Sequence, residues 1–123
     1  MKGAPQTPEE LFAAHPVPLA VVHRVGGVLT AWPDVEVRTS RSQVSYRRCR
    51  GFAYVWRPGQ YLGRPAAPAV LSIALGRTDP SPRFKEVVHP SPMHWLHHLE
   101  ITTADEVDAE VASWLVEAAG RAG

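Results

Sequence analysis

Four histidines fall within ten positions of this chain, His89, His94, His97 and His98, and a single cysteine, Cys49, sits among Arg47, Arg48 and Arg50. Histidines so grouped suggest a metal site, and a thiol among guanidinium groups suggests a nucleophile. Neither spacing carries the chemistry far. His97 and His98 are adjacent in an alternating segment, so they point to opposite faces of a strand and do not converge on one ion. No carboxylate falls at the helical spacing of an H-E-x-x-H site, and there is no G-x-S-x-G elbow or phosphate-binding glycine loop. Cationic neighbours alone do not make Cys49 a nucleophile. No metal, cofactor or catalytic residue is assigned. His97 shares a face with Trp95 and Leu99, as expected of a core histidine or one lining a pocket.

The charge pattern is more informative. Seven arginines (38, 41, 47, 48, 50, 57, 64) and no acid lie between Arg38 and Arg64, with Tyr46, Phe52, Tyr54, Trp56 and Tyr61 interleaved. Six acids (100, 105, 106, 108, 110, 117) and no base lie between Glu100 and Glu117. Arginines beside aromatics are the means by which proteins hold phosphates and stack bases. On that reading Arg41, Arg47 and Arg57 supply charge, Tyr46 stacks and His97 lines a pocket. On the plainer reading, Phe52, Tyr54 and Trp56 form the core face beneath the helices, and Arg47 and Arg57 are solvated edge charges. Arg48 shares parity with Val44 and Tyr46, so either it is partly buried and paired or the strand bulges there.

The 123 residues, 45% hydrophobic and 20% charged, have the length and composition of one globular domain. The net charge of +1 gives no global field, so attraction for an anion must be local. Arginine outnumbers lysine eleven to two, a bias along the whole chain that a GC-rich genome also produces. One cysteine excludes an internal disulfide. The N-terminal stretch has no signal-peptide character and no apolar run is long enough to span a membrane, which points to a cytoplasmic setting.

The elements that would position these residues follow from pattern. Residues 1–6 read as a flexible leader and 7–123 as one domain. Thr7-Pro8-Glu9-Glu10 starts a helix that Pro16 limits to about His15. Leu19–Val25 suits a second helix, opened by Pro18 and ended by Gly26-Gly27. From Asp34 the period becomes two. Val35 and Val37, then Val44 and Tyr46, then Phe52, Tyr54 and Trp56 describe three strands. Pro58–Pro68 is a loop, and Ala69–Leu75 is a buried central strand. Phe84–His89 is a shorter strand, Pro90-Ser91-Pro92 a loop, and Trp95–Ile101 a further strand on which His98 and Glu100 form a surface pair. Thr103 caps a C-terminal amphipathic helix whose acids face outward and which Gly120 closes. The fold class is α+β: an antiparallel sheet of about five or six strands, with N- and C-terminal helices packed on one face.

Three strings carry a family resemblance: "FAYVWRPGQYL", "VLSIALGRTDPSPRFKEVVHPS" and "HHLEITTADEVDAEVASWLVEA". Together they resemble the bacterial domain of unknown function 5655, over roughly residues 30–118. The "SPRF" turn and the "HHLEIT…DEVD…WL" ending are the most specific parts. The resemblance implies a small α+β domain with a C-terminal helix, and brings no activity and no catalytic residues. The helix–sheet–helix order is also similar to frataxin-like folds, an analogy of architecture only.

The expectation is a small binding or accessory domain for an anionic ligand, nucleic acid or a phosphorylated metabolite, held on the arginine-rich sheet. Two alternatives are a protein–protein or self-association module that pairs the basic sheet of one copy with the acidic helix of another, and a small enzyme using Cys49 or His97.

Overall fold

The computed structural model describes residues 3–61 and 66–123; Arg64 and part of the expected 58–68 loop lie outside the described residues. Helices α1 (Pro8–Leu11) and α2 (Pro16–Val28) precede strands β1 (Glu36–Thr39), β2 (Gln43–Arg47), β3 (Gly51–Trp56), β4 (Ala69–Leu75), β5 (Glu86–Ser91) and β6 (His94–Ile101), and helix α3 (Ala109–Ala122) follows. The strands form one sheet in the order β1-β2-β3-β4-β6-β5, with every neighbouring pair antiparallel. The fold is the α+β arrangement expected. β4 lies in the middle and is buried along its whole length, as its apolar run, interrupted by Ser72 alone, requires.

The helices cover one side of this sheet. Val44 and Tyr46 of β2, Ala53 and Val55 of β3, Leu71 and Ile73 of β4, and His97 and Leu99 of β6 are laterally paired and buried there. Val21, Val25 and Leu29 from the α2 side and Val111, Leu115 and Ala118 of α3 meet them, three or four apart as a helix stripe demands.

Several helix ends differ from expectation, each for a local reason. Thr7 does cap α1, accepting the Glu10 N–H at 3.1 Å, but the helix stops at Leu11. α2 starts at Pro16 rather than Leu19, because Pro16 and Pro18 both fall in the first turn, where no N–H partner is needed. It runs through Gly26-Gly27, since the flanking Val25 and Leu29 are both buried. Thr103 and Glu106 form their capping box on a 3-10 turn (Ala104–Glu106), and Asp108 is the residue that caps α3.

α3 also passes through Gly120, and its end is closed from the sheet. Arg48 Nη1 donates to the Ala119 carbonyl at 2.7 Å, the Cys49 N–H to Ala122 at 2.9 Å and Arg50 Nη2 to Arg121 at 2.8 Å. The cationic β2–β3 turn therefore sits on the negative end of the helix dipole. Arg48 also pairs with Asp34 at 3.0 Å and keeps only 18% of its side chain exposed. A bulge follows Tyr46, so Arg48 is both paired and beyond an irregularity.

That bulge changes the reading of β3. Phe52 is the extra residue between the Arg47–Gly51 and Tyr46–Ala53 pairs, and it joins Ala53 and Val55 in the core. Tyr54 and Trp56 pair with Ser45, Gln43, Ser72 and Val70, and so lie on the side without helices. The expectation that all three aromatics lie beneath the helices is corrected for two of them. β5 differs as well: it continues through Pro90, expected in a loop, at an irregular stretch of the sheet edge where the missing N–H breaks no ladder.

Candidate binding groove on the open sheet face

The uncovered face is built from the alternate positions of the strands. One lateral row reads Arg38, Ser45, Tyr54, Ser72, His98, Glu86; the next reads Gln43, Trp56, Val70, Glu100. Two adjoining cavities lie along these rows. The larger, about 370 Å³, is lined by Arg50, Gly51, Ala74, Pro90, Ser91 and His94. The smaller, about 240 Å³, is lined by Trp56, Tyr61, Ser72 and His98. Gln43, Tyr54 and Leu96 line both, so the two make one groove.

Its walls are fixed by specific contacts. Gln60 Nε2 donates to the Ser42 carbonyl at 2.9 Å, which ties the segment after β3 to the β1–β2 turn. Tyr61 is thereby held edge-on to Trp56, ring centroids 5.9 Å apart. His98 stands edge-on to the same indole at 5.8 Å. Gly51 leaves room for Tyr54, whose hydroxyl a Cβ at that position would meet.

A hydrogen-bond chain crosses the floor. Trp56 Nε1–H donates to Ser72 Oγ at 2.9 Å, and Ser72 Oγ lies 2.6 Å from His98 Nδ1. His98 is thus not the surface partner of Glu100. Burial pushes its imidazole below the ordinary histidine value, Glu86 opposes this and His97 adds to it. The serine–histidine contact is not the start of a nucleophilic site, because Ser72 is 1% exposed in the middle of the central strand.

Charge divides across the face. Arg38 and Arg47 lie on its β1–β2 side and Arg50 at the end of the larger cavity, whereas Glu86 and Glu100 lie on the β5–β6 side. Arg38 is paired with Glu36 at 3.2 Å. Among the described residues Arg41, Arg47 and Arg57 form no ion pair.

The residues expected to form a site do not converge. Arg41 is at the β1–β2 turn and Arg47 at the far end of β2, about 13 Å along the strand by its rise per residue. Arg57 lies on the helix side, beside His15 and Pro16. Tyr46 is not a surface residue: it is 1% exposed, its hydroxyl donates to the Val22 carbonyl at 3.3 Å, and burial pushes its pKa upward. His97 is fully buried beneath the helices, against Phe84. The Asp79 N–H donates to its Nε2 at 3.0 Å, so its proton sits on Nδ1 and is donated to the Trp95 carbonyl at 2.9 Å. Both nitrogens are thus occupied by backbone. Cys49 is exposed, while the flanking Arg48 and Arg50 reach to the α3 carbonyls. Among the described residues no group of three or more His, Cys, Asp or Glu is placed to hold a metal ion, and no helix is long and apolar enough to cross a membrane.

Of the groove residues, Tyr54, Trp56 and Tyr61 belong to the arginine-rich stretch. Ser72 and His98 had no signal as a pair, since 26 positions separate them and only the β4–β6 register brings them together.

The domain of unknown function DUF5655 matches residues 26–119. The chain belongs to this family. No curated protein and no solved structure matched it.

In this member of the DUF5655 family, the "SPRF" and "DEVD…WL" strings pack against each other. The "SPRF" turn lies in the β4–β5 loop and the "DEVD…WL" string opens α3. Arg83 Nη1 donates to Asp108 at 3.1 Å and Glu110 at 2.8 Å, and Nη2 to the Glu106 carbonyl at 2.9 Å. Its guanidinium lies 5.8 Å from the Trp114 ring centroid, and Phe84 packs on that ring at 4.4 Å. Trp114 Nε1–H donates to Asp79 at 3.2 Å, and Arg77 joins Asp79 at 2.9 Å to Glu117 at 2.8 Å. Four acids of the C-terminal segment, Asp105, Asp108, Glu110 and Glu117, are therefore engaged within the chain by arginines that lie outside the 38–64 stretch.

Proposed function

We propose that this is a cytoplasmic binding domain of bacterial origin for an anionic ligand that carries a planar ring, the unit common to nucleic acids and phosphorylated nucleosides. The observation that supports the reading is the continuous groove on the open face, walled by Tyr54, Trp56 and Tyr61 and lined by Arg50, with Arg47 paired across the strands to Gly51 of that lining. An aromatic ring edge and face favour stacking with a base of any sequence, and the guanidinium groups favour phosphate. The ligand is oriented by charge, phosphate toward the arginine side and away from Glu86 and Glu100. The sequence-level site is revised accordingly: Arg47 is retained as a contact, Arg41 is a peripheral charge at the turn, and Arg57, Tyr46 and His97 have no part in it.

The test is fluorescence anisotropy with labelled single- and double-stranded oligonucleotides at low and moderate salt. Single-stranded binding that weakens with salt is expected, as counterions are released from few phosphate contacts. Tyr61→Ala and Arg47→Glu should each weaken it. An absence of single-strand binding at low salt would sink the proposal. The self-association reading draws no support from the geometry, because the α3 acids already have partners inside the chain.

A further inference from the structure

Ser72 is 1% exposed, and among the described residues its hydroxyl has two partners, Trp56 Nε1 and His98 Nδ1. The indole can only donate, so it uses the serine oxygen as an acceptor. The serine hydrogen must then go to His98 Nδ1; any other assignment strands a buried O–H donor with no acceptor. Nδ1 is therefore bare, and the neutral imidazole carries its proton on Nε2. Nε2 is on the ring edge away from the Ser72 floor, His98 lines the groove, and Nε2 has no hydrogen-bond partner among the described residues. A one-way chain, indole to hydroxyl to imidazole, thus ends in a single oriented donor between aromatic walls.

We infer that His98 is the specificity-determining contact of the groove, donating Nε2–H to an acceptor atom on the edge of a nucleobase stacked against Trp56 and Tyr61. This rests on the reading that the groove takes a nucleotide unit. The chemistry selects a ring edge that offers a keto oxygen or an unprotonated ring nitrogen, and disfavours one that presents only N–H groups. Ser72 and Trp56 are positioning residues: they set the polarity of His98, and of the two only the indole touches the base.

The test uses the full chain with three probes: labelled oligouridine, an abasic strand of the same length, and uridine monophosphate. Wild type should bind oligouridine more tightly than the abasic strand. His98→Leu should lower oligouridine affinity about tenfold, the loss of one buried hydrogen bond, and leave abasic binding unchanged. His98→Gln, whose amide can donate from about the position of Nε2, should stay within a few-fold of wild type. Uridine monophosphate binding with the same dependence on His98 would identify a free nucleotide as the ligand, and binding of the strand alone would identify single-stranded nucleic acid. If wild type discriminates against the abasic strand while His98→Leu binds like wild type, the inference fails and the open-face reading stands. Equal losses in the Leu and Gln variants would overturn the donor role. If wild type binds no probe, the open-face reading itself is lost. The tautomer is checked without ligand by the imidazole ¹⁵N shifts of wild type. An unprotonated Nδ1 and a protonated Nε2 are expected, and the reverse pattern would overturn the inference.

Discussion

The Asp79 N–H donates to His97 Nε2, and this bond fastens the β4–β5 loop to the buried face of β6. The loop continues the contact outward, through the Asp79 carboxylate to Trp114 and Arg77. A buried imidazole with both nitrogens engaged is a structural anchor, and its removal leaves backbone groups without partners.

His97→Ala should therefore destabilise the fold by about 2–4 kcal/mol, from the cavity and the lost hydrogen bonds together. Urea unfolding monitored by tryptophan fluorescence measures it. A change below about 0.5 kcal/mol would contradict the anchor role.

Acid should loosen the same junction. Burial pushes the Asp79 carboxyl up, but the Ser81 N–H and Arg77 outweigh it and hold it below the ordinary carboxylate value of 3.8. The Val111 N–H and Arg83 lower Asp108 likewise. A depressed folded-state pKa gives stability that is complete above the unfolded value and is lost as pH falls through the folded one. The melting temperature should accordingly fall below about pH 4. Asp79→Asn should be less stable than wild type at pH 7 and show a shallower fall in acid. An identical acid limb in the two proteins would refute the assignment.

Tyr46→Phe should cost about 0.5–1.5 kcal/mol, one buried hydrogen bond to the Val22 carbonyl, and leave oligonucleotide binding unchanged. Equilibrium unfolding and anisotropy together separate this core role from the stacking role that the sequence pattern suggests.

Gly51→Ala should change stability by no more than about 0.5 kcal/mol, because the new methyl meets the movable end of a side chain. It should nonetheless displace the Tyr54 ring and weaken groove binding. The Tyr54 ring resonances report the displacement directly, and unshifted resonances would rule it out.

Much of the fold was legible because local signals agreed. The Thr7 cap, the apolar run of β4, the alternation on β6 and the stripe of α3 each depend on residues close in sequence. The groove was not legible. Alternation tells which residues share a face but not which face the helices cover, so Tyr54 and Trp56 were assigned with Phe52. The bulge at Phe52 breaks that parity, and nothing in "CRGFAYVW" announces it. The charge blocks misled for a related reason. Arg48 and Arg50 belong to the acid-free arginine block, yet each donates to a carbonyl at the end of α3, while the acids of α3 find Arg77 and Arg83 in a loop between two strands. The "SPRF" and "DEVD…WL" strings are likewise accounted for by this loop–helix junction.

The capping of α3 by the β2–β3 turn has a consequence for the order of folding. The donors that close the helix are 71 to 73 positions away from the carbonyls they meet. A helix of this length standing alone is marginal in water, and its final turn has no local stop signal that holds. That turn should gain amide protection only once the hairpin is in place. The chain's last helical element would then be completed by the β2–β3 hairpin, and these two distant segments would become ordered in a single cooperative step.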